Sequence, residues 1–223
     1  MASKNVSVKL DFFMQTQELV NWCWASVGTS IALFYEKDSG WTQCKCVAVA
    51  LEGNNSPCCP PNPESSCNKG YYLVSPDLLG GPNNPHRVGS LVSTGTSDFK
   101  CPIVHYPISF EAIRESIDKK EILAFNIQSN QEVQIPGGKS IKISHFLTIS
   151  GYEIINGEYY VVINDTTDQS MDRVNASIMR YGDFLKSYNL GTYLCSVEYS
   201  YFTVRNVVQA PPVNIPQHEN QSR

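Results

Sequence analysis

The chain has 223 residues, of which 42% are hydrophobic and 17% charged, and its formal net charge is −4. This apolar content supports a sizeable core and excludes a disordered chain. Lys and Arg are not in excess over Asp and Glu, so we expect no nucleic-acid partner. No run of about 18 apolar residues occurs, so we expect no membrane-spanning segment.

Residues 17–35 predict a helix, because the segment contains no Pro and its apolar residues recur at helical spacing. Residues 40–100 are irregular and rich in Gly, Pro, Asn and Cys. Two short helices are possible within them, near 43–52 and 75–80.

Residues 109–120 predict a short amphipathic helix. Ser109 is the expected N-cap, and Glu111 lies in the first turn, where a negative charge is favourable. Lys119 and Lys120 lie in the expected last turn, where positive charge is favourable.

From residue 122 the pattern changes to strands, and Asn156-Gly157 is a strong hairpin-turn signal. The chain therefore predicts a single α+β domain over residues 1–205. Its helical, loop-rich lobe covers about 12–120 and its β lobe about 121–205, while the polar tail 206–223 should be flexible. The predicted strands are 122–127, 142–152, 158–165 and 194–204.

Cys23 stands between two tryptophans near the start of the first predicted helix. If the first turn begins near residue 21 or 22, the helix dipole favours the thiolate, which is the nucleophilic form. Gln17 lies six residues earlier, and its amide could donate to a developing oxyanion together with the Cys23 N–H. Alternatively, Cys23 is a buried small hydrophobic residue.

A nucleophilic thiolate needs a base, and His145 is the candidate because it lies on the apolar face of a predicted strand. The alternative is a core histidine with satisfied hydrogen bonds. Of the remaining histidines, His86 lies in a loop-like segment, His105 follows residues 101–104 (CPIV), and His218 lies in the tail.

A group that orients His145 should lie on the neighbouring strand, which ends at Asn164 and Asp165. A two-residue turn would pair Ile149 with Asn164 and place Asn164 on the face of His145. Asp165 would face away unless a bulge or a longer loop shifts the register by one residue. A carboxylate would stabilise the imidazolium more strongly, so both residues remain candidates.

Further motifs accompany these residues over roughly 12–166 of the chain. They are Gln15 and Gln17 with 21–25 (NWCWA), then 41–44 (WTQC), 58–59 (CC), 67–68 (CN), 110–117, 144–152 (SHFLTISGY) and 160–165 (YVVIND). In this combination the chain resembles the papain-like cysteine peptidases. It is most similar to the bacterial group with Q-x-Q-x-x-x-N-W-C-W-A near the N-terminus, which includes type III effector proteases and is similar to bacteriocin-exporter leader peptidases.

The resemblance implies a papain-like two-lobe fold and an endopeptidase that needs no cofactor or metal and acts on a protein or peptide substrate. We expect a monomer. Cys23 is implied as nucleophile, His145 as general base and acid, and Gln17 as part of the oxyanion hole. For the third member, papain-type Asn maps to Asn164, whereas Asp of the effector and exporter groups maps to Asp165.

This sequence departs from the pattern at two positions. Thr166 replaces the Pro that usually follows the acid, and Ser144 replaces the Gly before the His. The same scaffold also serves deamidases, transglutaminases and acyltransferases, and it could be kept as a non-catalytic binding module.

Eight cysteines are the unusual feature of the composition. The five between residues 44 and 67 favour two disulfides with one thiol left over, but reduced thiols or a zinc site remain alternatives. Zinc is disfavoured because C-x₂-C spacing is absent, and adjacent Cys58 and Cys59 are not expected to bond to each other. A Cys101–Cys195 bridge is possible. The clustered residues are Cys44, Cys46, Cys58, Cys59 and Cys67.

The cysteines indicate an oxidising compartment, although the N-terminus shows no continuous apolar segment and hence no ordinary secretory signal. We therefore expect a secreted or translocated, effector-like protein. Export would then use a signal-independent route or a signal in an upstream segment that this sequence lacks. The alternative is that the thiols stay reduced and the protein is not exported to an oxidising compartment.

Overall fold

The structure is a computed structural model that describes residues 5–52, 58–62, 64, 66–74, 89–96, 103–104, 106–135, 137–167 and 176–203. Its helices are α1 (Cys23–Tyr35), α2 (Gln43–Glu52), α3 (Ser90–Ser93), α4 (Phe110–Asp118) and α5 (Tyr181–Lys186). Its strands are β1 (Val6–Lys9), β2 (Leu123–Ser129), β3 (Val133–Ile135), β4 (Lys139–Ile141), β5 (Ser144–Ile155), β6 (Glu158–Asp165), β7 (Ala176–Arg180), β8 (Tyr188–Leu190) and β9 (Tyr193–Phe202).

The strands form a curled antiparallel sheet in the order β7-β6-β5-β2-β9-β8, and β1 pairs with the second half of β5. A separate hairpin joins β3 and β4. The α+β class predicted from the sequence is therefore confirmed. None of the helices in the described part of the chain is long and apolar enough to cross a membrane.

The apolar side chains form two clusters. One lies around α1, α2 and α3 and includes Ala124, Phe146 and Tyr201 from the sheet. The other joins α4 and α5 to sheet residues such as Phe125 and Leu147. Because side chains alternate along a strand, the sheet contributes to both clusters. The predicted lobe limits stay a prediction.

The prediction of a helix over 17–35 is wrong at its start, because α1 begins at Cys23. Hydrogen bonds hold the preceding segment in a turn: the Glu18 N–H donates to Gln43 Oε1, and the Trp22 N–H donates to the Leu19 carbonyl. The apolar residues of the segment thus have helical spacing, but its backbone N–H groups make their hydrogen bonds outside a helix. The first helical turn consequently falls at the cysteine.

The prediction of α2 is confirmed over its full length, whereas residues 75–80 lie outside the described residues, as does the tail. In α4, the Ser109 hydroxyl accepts a hydrogen bond from the Ala112 N–H, as expected of an N-cap. The helix ends earlier than predicted. Lys119 is the C-cap and Lys120 has a positive φ of 64°, so neither lies in the last turn.

The four predicted strands are present with end points shifted by up to a few residues. Asn156 and Gly157 form the turn between β5 and β6, with φ values of 53° and 84° that suit Asn and Gly. The sequence reasoning did not predict β1, β7, β8 or the β3–β4 hairpin. These strands have only three to five residues, which gives too little alternation to recognise.

The prediction of two disulfides with one thiol left over is confirmed. Cys44 bonds to Cys59 and Cys58 bonds to Cys67, while Cys46 is a buried free thiol. Cys195 is also a buried free thiol, which contradicts the possible bridge to Cys101. Cys101 itself lies outside the described residues.

Candidate active site

Cys23 is the first residue of α1, and its side chain is partly exposed between two fully buried tryptophans. The Trp22 indole donates to the Cys67 carbonyl at 2.8 Å, and the Trp24 indole donates to the Lys69 carbonyl at 3.0 Å. These bonds fix the helix start against residues 67–69, which begin at a cysteine of the Cys58–Cys67 disulfide. The thiol is thereby held at a helix N-terminus, where the dipole favours a negative charge.

His145 is the second residue of β5 and is buried. Its Nε2 lies 2.7 Å from Oδ1 of Asp165, and its ring also hydrogen-bonds to Cys23. Because Nε2 is bound to the carboxylate, Nδ1 is the ring nitrogen that remains for the thiol. The structure therefore brings Cys23, His145 and Asp165 together in one chain of hydrogen bonds.

A bulge in the β5–β6 ladder decides which residue meets His145. From the turn to Gly151↔Val162 the strands pair as a two-residue turn requires, but beyond Ser150 the register shifts by one. Asn164 then pairs with Thr148 and not with Ile149 as the unshifted register predicted. The shift places Asp165 on the His145 face.

Asn164 faces away from His145. It is buried, and its side-chain oxygen accepts a hydrogen bond of 2.6 Å from the Ser150 hydroxyl. Ser150 is the buried residue at the bulge itself. The structure therefore does not bring this candidate to the histidine, and the contact that it makes lies at the bulge.

The Asp165 carboxylate has three partners besides His145. Its Oδ1 accepts from the Thr167 N–H at 2.9 Å and the Thr167 hydroxyl at 2.8 Å, and its Oδ2 accepts from the Tyr188 hydroxyl at 2.7 Å. Burial raises the pKa of Asp165, but the hydrogen bond and charge of His145, with the bonds from Thr167 and Tyr188, outweigh burial and hold that pKa well below its usual range.

Burial alone would lower the pKa of His145, but the hydrogen bonds to Asp165 and Cys23 and the charges of both groups outweigh it. Together they raise the pKa of His145 to about 10. The imidazole consequently holds a proton at neutral pH.

Gln17 lies at the site but its amide is engaged. The amide nitrogen donates to the Val20 carbonyl at 2.8 Å and to the Leu19 carbonyl at 3.2 Å. Its Oε1 accepts from the Thr166 hydroxyl at 2.9 Å. The oxyanion role of Gln17 therefore stays a prediction, which requires one of these amide hydrogens to turn toward the substrate.

Cys23 lies between two clefts. The larger has a volume of about 630 Å³ and is lined in part by Gln17 and His145. The smaller has a volume of about 480 Å³ and is lined in part by Trp24 and Tyr71. A substrate whose reacting carbonyl lies at the Cys23 sulfur can therefore have one part of its chain in each cleft.

Sequence reasoning missed Thr166, Thr167 and Tyr188 as parts of this site. Thr166 was visible as the replacement of an expected Pro, and a Pro at this position would lack the hydroxyl that binds Gln17. Thr167 follows it directly. Tyr188 comes from the short strand β8, and no local pattern links it to Asp165. The other three histidines, His86, His105 and His218, lie outside the described residues.

No family model matches this chain, and no curated protein matches it. Among solved structures, a C39-like peptidase from Bacillus anthracis is 13% identical with a TM-score of 0.46, covering 90% of this chain and 98% of its own. Procathepsin L 3 from the larval midgut of Tenebrio molitor is 12% identical with a TM-score of 0.47, covering 89% and 69%. Likeness at this level is too distant to assign an activity.

Proposed function

We propose that this protein is a papain-like cysteine peptidase that hydrolyses peptide bonds through a thioester on Cys23. The observation that carries the proposal is the hydrogen-bonded chain from Cys23 through His145 to Asp165 at the start of a helix. A nucleophile, a base and a group that orients the base are the parts that covalent acyl transfer needs. Asp165 is the proposed third member because it is the residue that contacts His145.

In the acylation step the Cys23 thiolate attacks the peptide carbonyl, and the carbonyl oxygen takes the negative charge. The first N–H groups of a helix have no partner within the helix, so the Cys23 N–H would donate to this oxyanion. Gln17 would supply the second donor by turning its amide. His145 then gives its proton to the leaving nitrogen, and the C–N bond breaks.

In the deacylation step a water molecule attacks the thioester, and neutral His145 accepts its proton. The C–S bond breaks, the product acid leaves, and the thiolate and protonated imidazole are restored. Asp165 holds the ring in place throughout and stabilises its positive charge. Its own proton affinity is low, so it stays a carboxylate.

The test compares Cys23→Ala with Cys195→Ala, which removes a buried free thiol away from the proposed nucleophile. Hydrolysis of a quenched-fluorescent peptide library should fall by about 10³-fold or more for Cys23→Ala and persist for Cys195→Ala. Circular dichroism should show both variants folded. Wild-type hydrolysis by a folded Cys23→Ala variant would contradict the proposal. The library should include glutamine-containing peptides and amine acceptors, since the same groups serve deamidation and acyl transfer.

A further inference from the structure

The two clefts beside Cys23 must receive different halves of a substrate. His145 gives its proton to the leaving nitrogen, so the leaving half lies on the side where His145 is exposed to the cleft. Only the larger of the two clefts is lined by His145, and Gln17 lines it too. The smaller cleft, lined by Trp24, Tyr71 and Phe146, is then left for the acyl half.

The wall of the larger cleft is predominantly apolar. Two hairpins contribute apolar side chains to its lining. Ile141 ends β4 and Ile143 follows it, while Leu190 and Tyr193 flank the β8–β9 turn. Ile141 is 41% exposed and Tyr193 is 36% exposed. Large apolar side chains that are left open beside reacting groups can gain burial when a substrate side chain covers them.

The larger cleft is lined by a lysine, Lys142, and by no Asp or Glu among the described residues that line it. A basic side chain in this cleft would meet the positive charge of Lys142 in a partly apolar setting and no lining carboxylate to pair with. Charge therefore disfavours Lys and Arg there, while the apolar wall disfavours small residues.

We propose that this cleft is a specificity site for the leaving half of the substrate and selects a large, uncharged apolar side chain directly after the scissile bond. Ile141 and Tyr193 are its specificity-determining residues. The inference rests on the proposed function, because it needs an acyl-enzyme on Cys23. It commits the enzyme to peptides that carry residues such as Leu or Phe on the amine side of the cleaved bond.

The test measures the selectivity of this cleft only in the reaction of the acyl-enzyme. A peptide methyl ester acylates Cys23 without any leaving side chain, and added amines then compete with water for the thioester. The amine nitrogen attacks, the C–N bond forms and the C–S bond breaks, the amine proton passes to His145, and sulfur leaves as thiolate. The acceptors are leucinamide, glycinamide and lysinamide, and the ratio of amide to acid product is measured for each by chromatography.

The acyl group should be transferred to leucinamide about tenfold or more faster than to glycinamide, because each methylene buried in an apolar pocket adds binding free energy. Transfer to leucinamide should also be faster than transfer to lysinamide. Ile141→Ala should reduce the preference for leucinamide over glycinamide severalfold. Ile178→Ala is the matched control, since Ile178 is an exposed strand isoleucine, 55% exposed on β7, that does not line the cleft. Its acceptor preference should equal that of the wild type.

The outcomes separate the two proposals. If the ester is not hydrolysed, or if Cys23→Ala hydrolyses it like the wild type, the proposed function fails. If the ester is hydrolysed through Cys23 but the acyl group is transferred equally well to leucinamide, glycinamide and lysinamide, the inference about the cleft is overturned and the proposed function stands. An equal effect of Ile141→Ala and Ile178→Ala on the preference would also overturn the role of Ile141.

Discussion

At the scale of single residues, Asp165 connects most of the groups that the chemistry needs. It holds Nε2 of His145, and its other contacts come from the next turn and from Tyr188 on a different strand. The neighbouring Thr166 orients Gln17 through its hydroxyl, so one short segment positions both the base and the candidate oxyanion donor. A small change at residues 165–167 should therefore affect several steps together.

Asp165→Asn should shift the pH dependence of catalysis. The pKa of His145 is raised to about 10 by its hydrogen bonds and charged neighbours, so the wild type should keep the protonated imidazole until the pH rises through about 10. Without the carboxylate that pKa should fall, and the alkaline limb of kcat/KM should move to lower pH. We also expect kcat to fall by about 10²–10⁴-fold. Rate profiles from pH 5 to 11 measure both effects.

The control for Asp165→Asn is Tyr188→Phe. This variant keeps the Asp165 carboxylate and removes one hydrogen bond to its Oδ2. Its alkaline limb should stay closer to that of the wild type than the limb of Asp165→Asn does. An alkaline limb that is the same in wild type and Asp165→Asn would show that this carboxylate does not set the protonation of His145.

At the scale of elements, two local irregularities build the site. The loop before α1 satisfies its own hydrogen bonds, which brings the helix start to Cys23, and the bulge at Ser150 brings Asp165 to His145. Sequence patterns predicted the helix, both strands and the turn between them. They did not predict the irregularities, because apolar spacing in residues 17–22 is helical and a bulge depends on contacts across strands, such as Ser150 with Asn164.

Gly28 controls how closely α1 can approach α3. A Cβ at Gly28 would lie 2.4 Å from Cβ of Ser90, so the helices are in contact only because the side chain is absent. Gly28→Ala should lower the free energy of unfolding by about 1–3 kcal/mol although Ala is the better helix former. Urea denaturation followed by circular dichroism measures this change.

Gly182→Ala is the matched control for that substitution, because Gly182 lies in α5 and a Cβ there would meet nothing within 4 Å. It should leave the free energy of unfolding unchanged or raise it by up to about 1 kcal/mol. If the two variants have the same stability, close packing of α1 on α3 is not what requires Gly28.

At the scale of the whole molecule, the cysteines divide by role. In the Cys58–Cys67 disulfide, the Cys67 carbonyl binds Trp22, and the Lys69 carbonyl binds Trp24, so this disulfide supports one wall of the site. The count of disulfides was predictable from the clustering between residues 44 and 67, whereas their pairing was not, because pairing depends on which loops meet in space. Cys23 remains the partly exposed thiol at a helix start.

Labelling with an epoxysuccinyl peptide, followed by intact mass and peptide mapping, tests most directly whether Cys23 is an activated nucleophile. We expect Cys23 to react faster than Cys46 and Cys195, which are fully buried, and to react about 10²-fold or more slowly in His145→Ala. If folded protein forms no adduct at Cys23, or if Cys23 reacts at the same rate in wild type and His145→Ala, then Cys23 is not a nucleophile activated by His145.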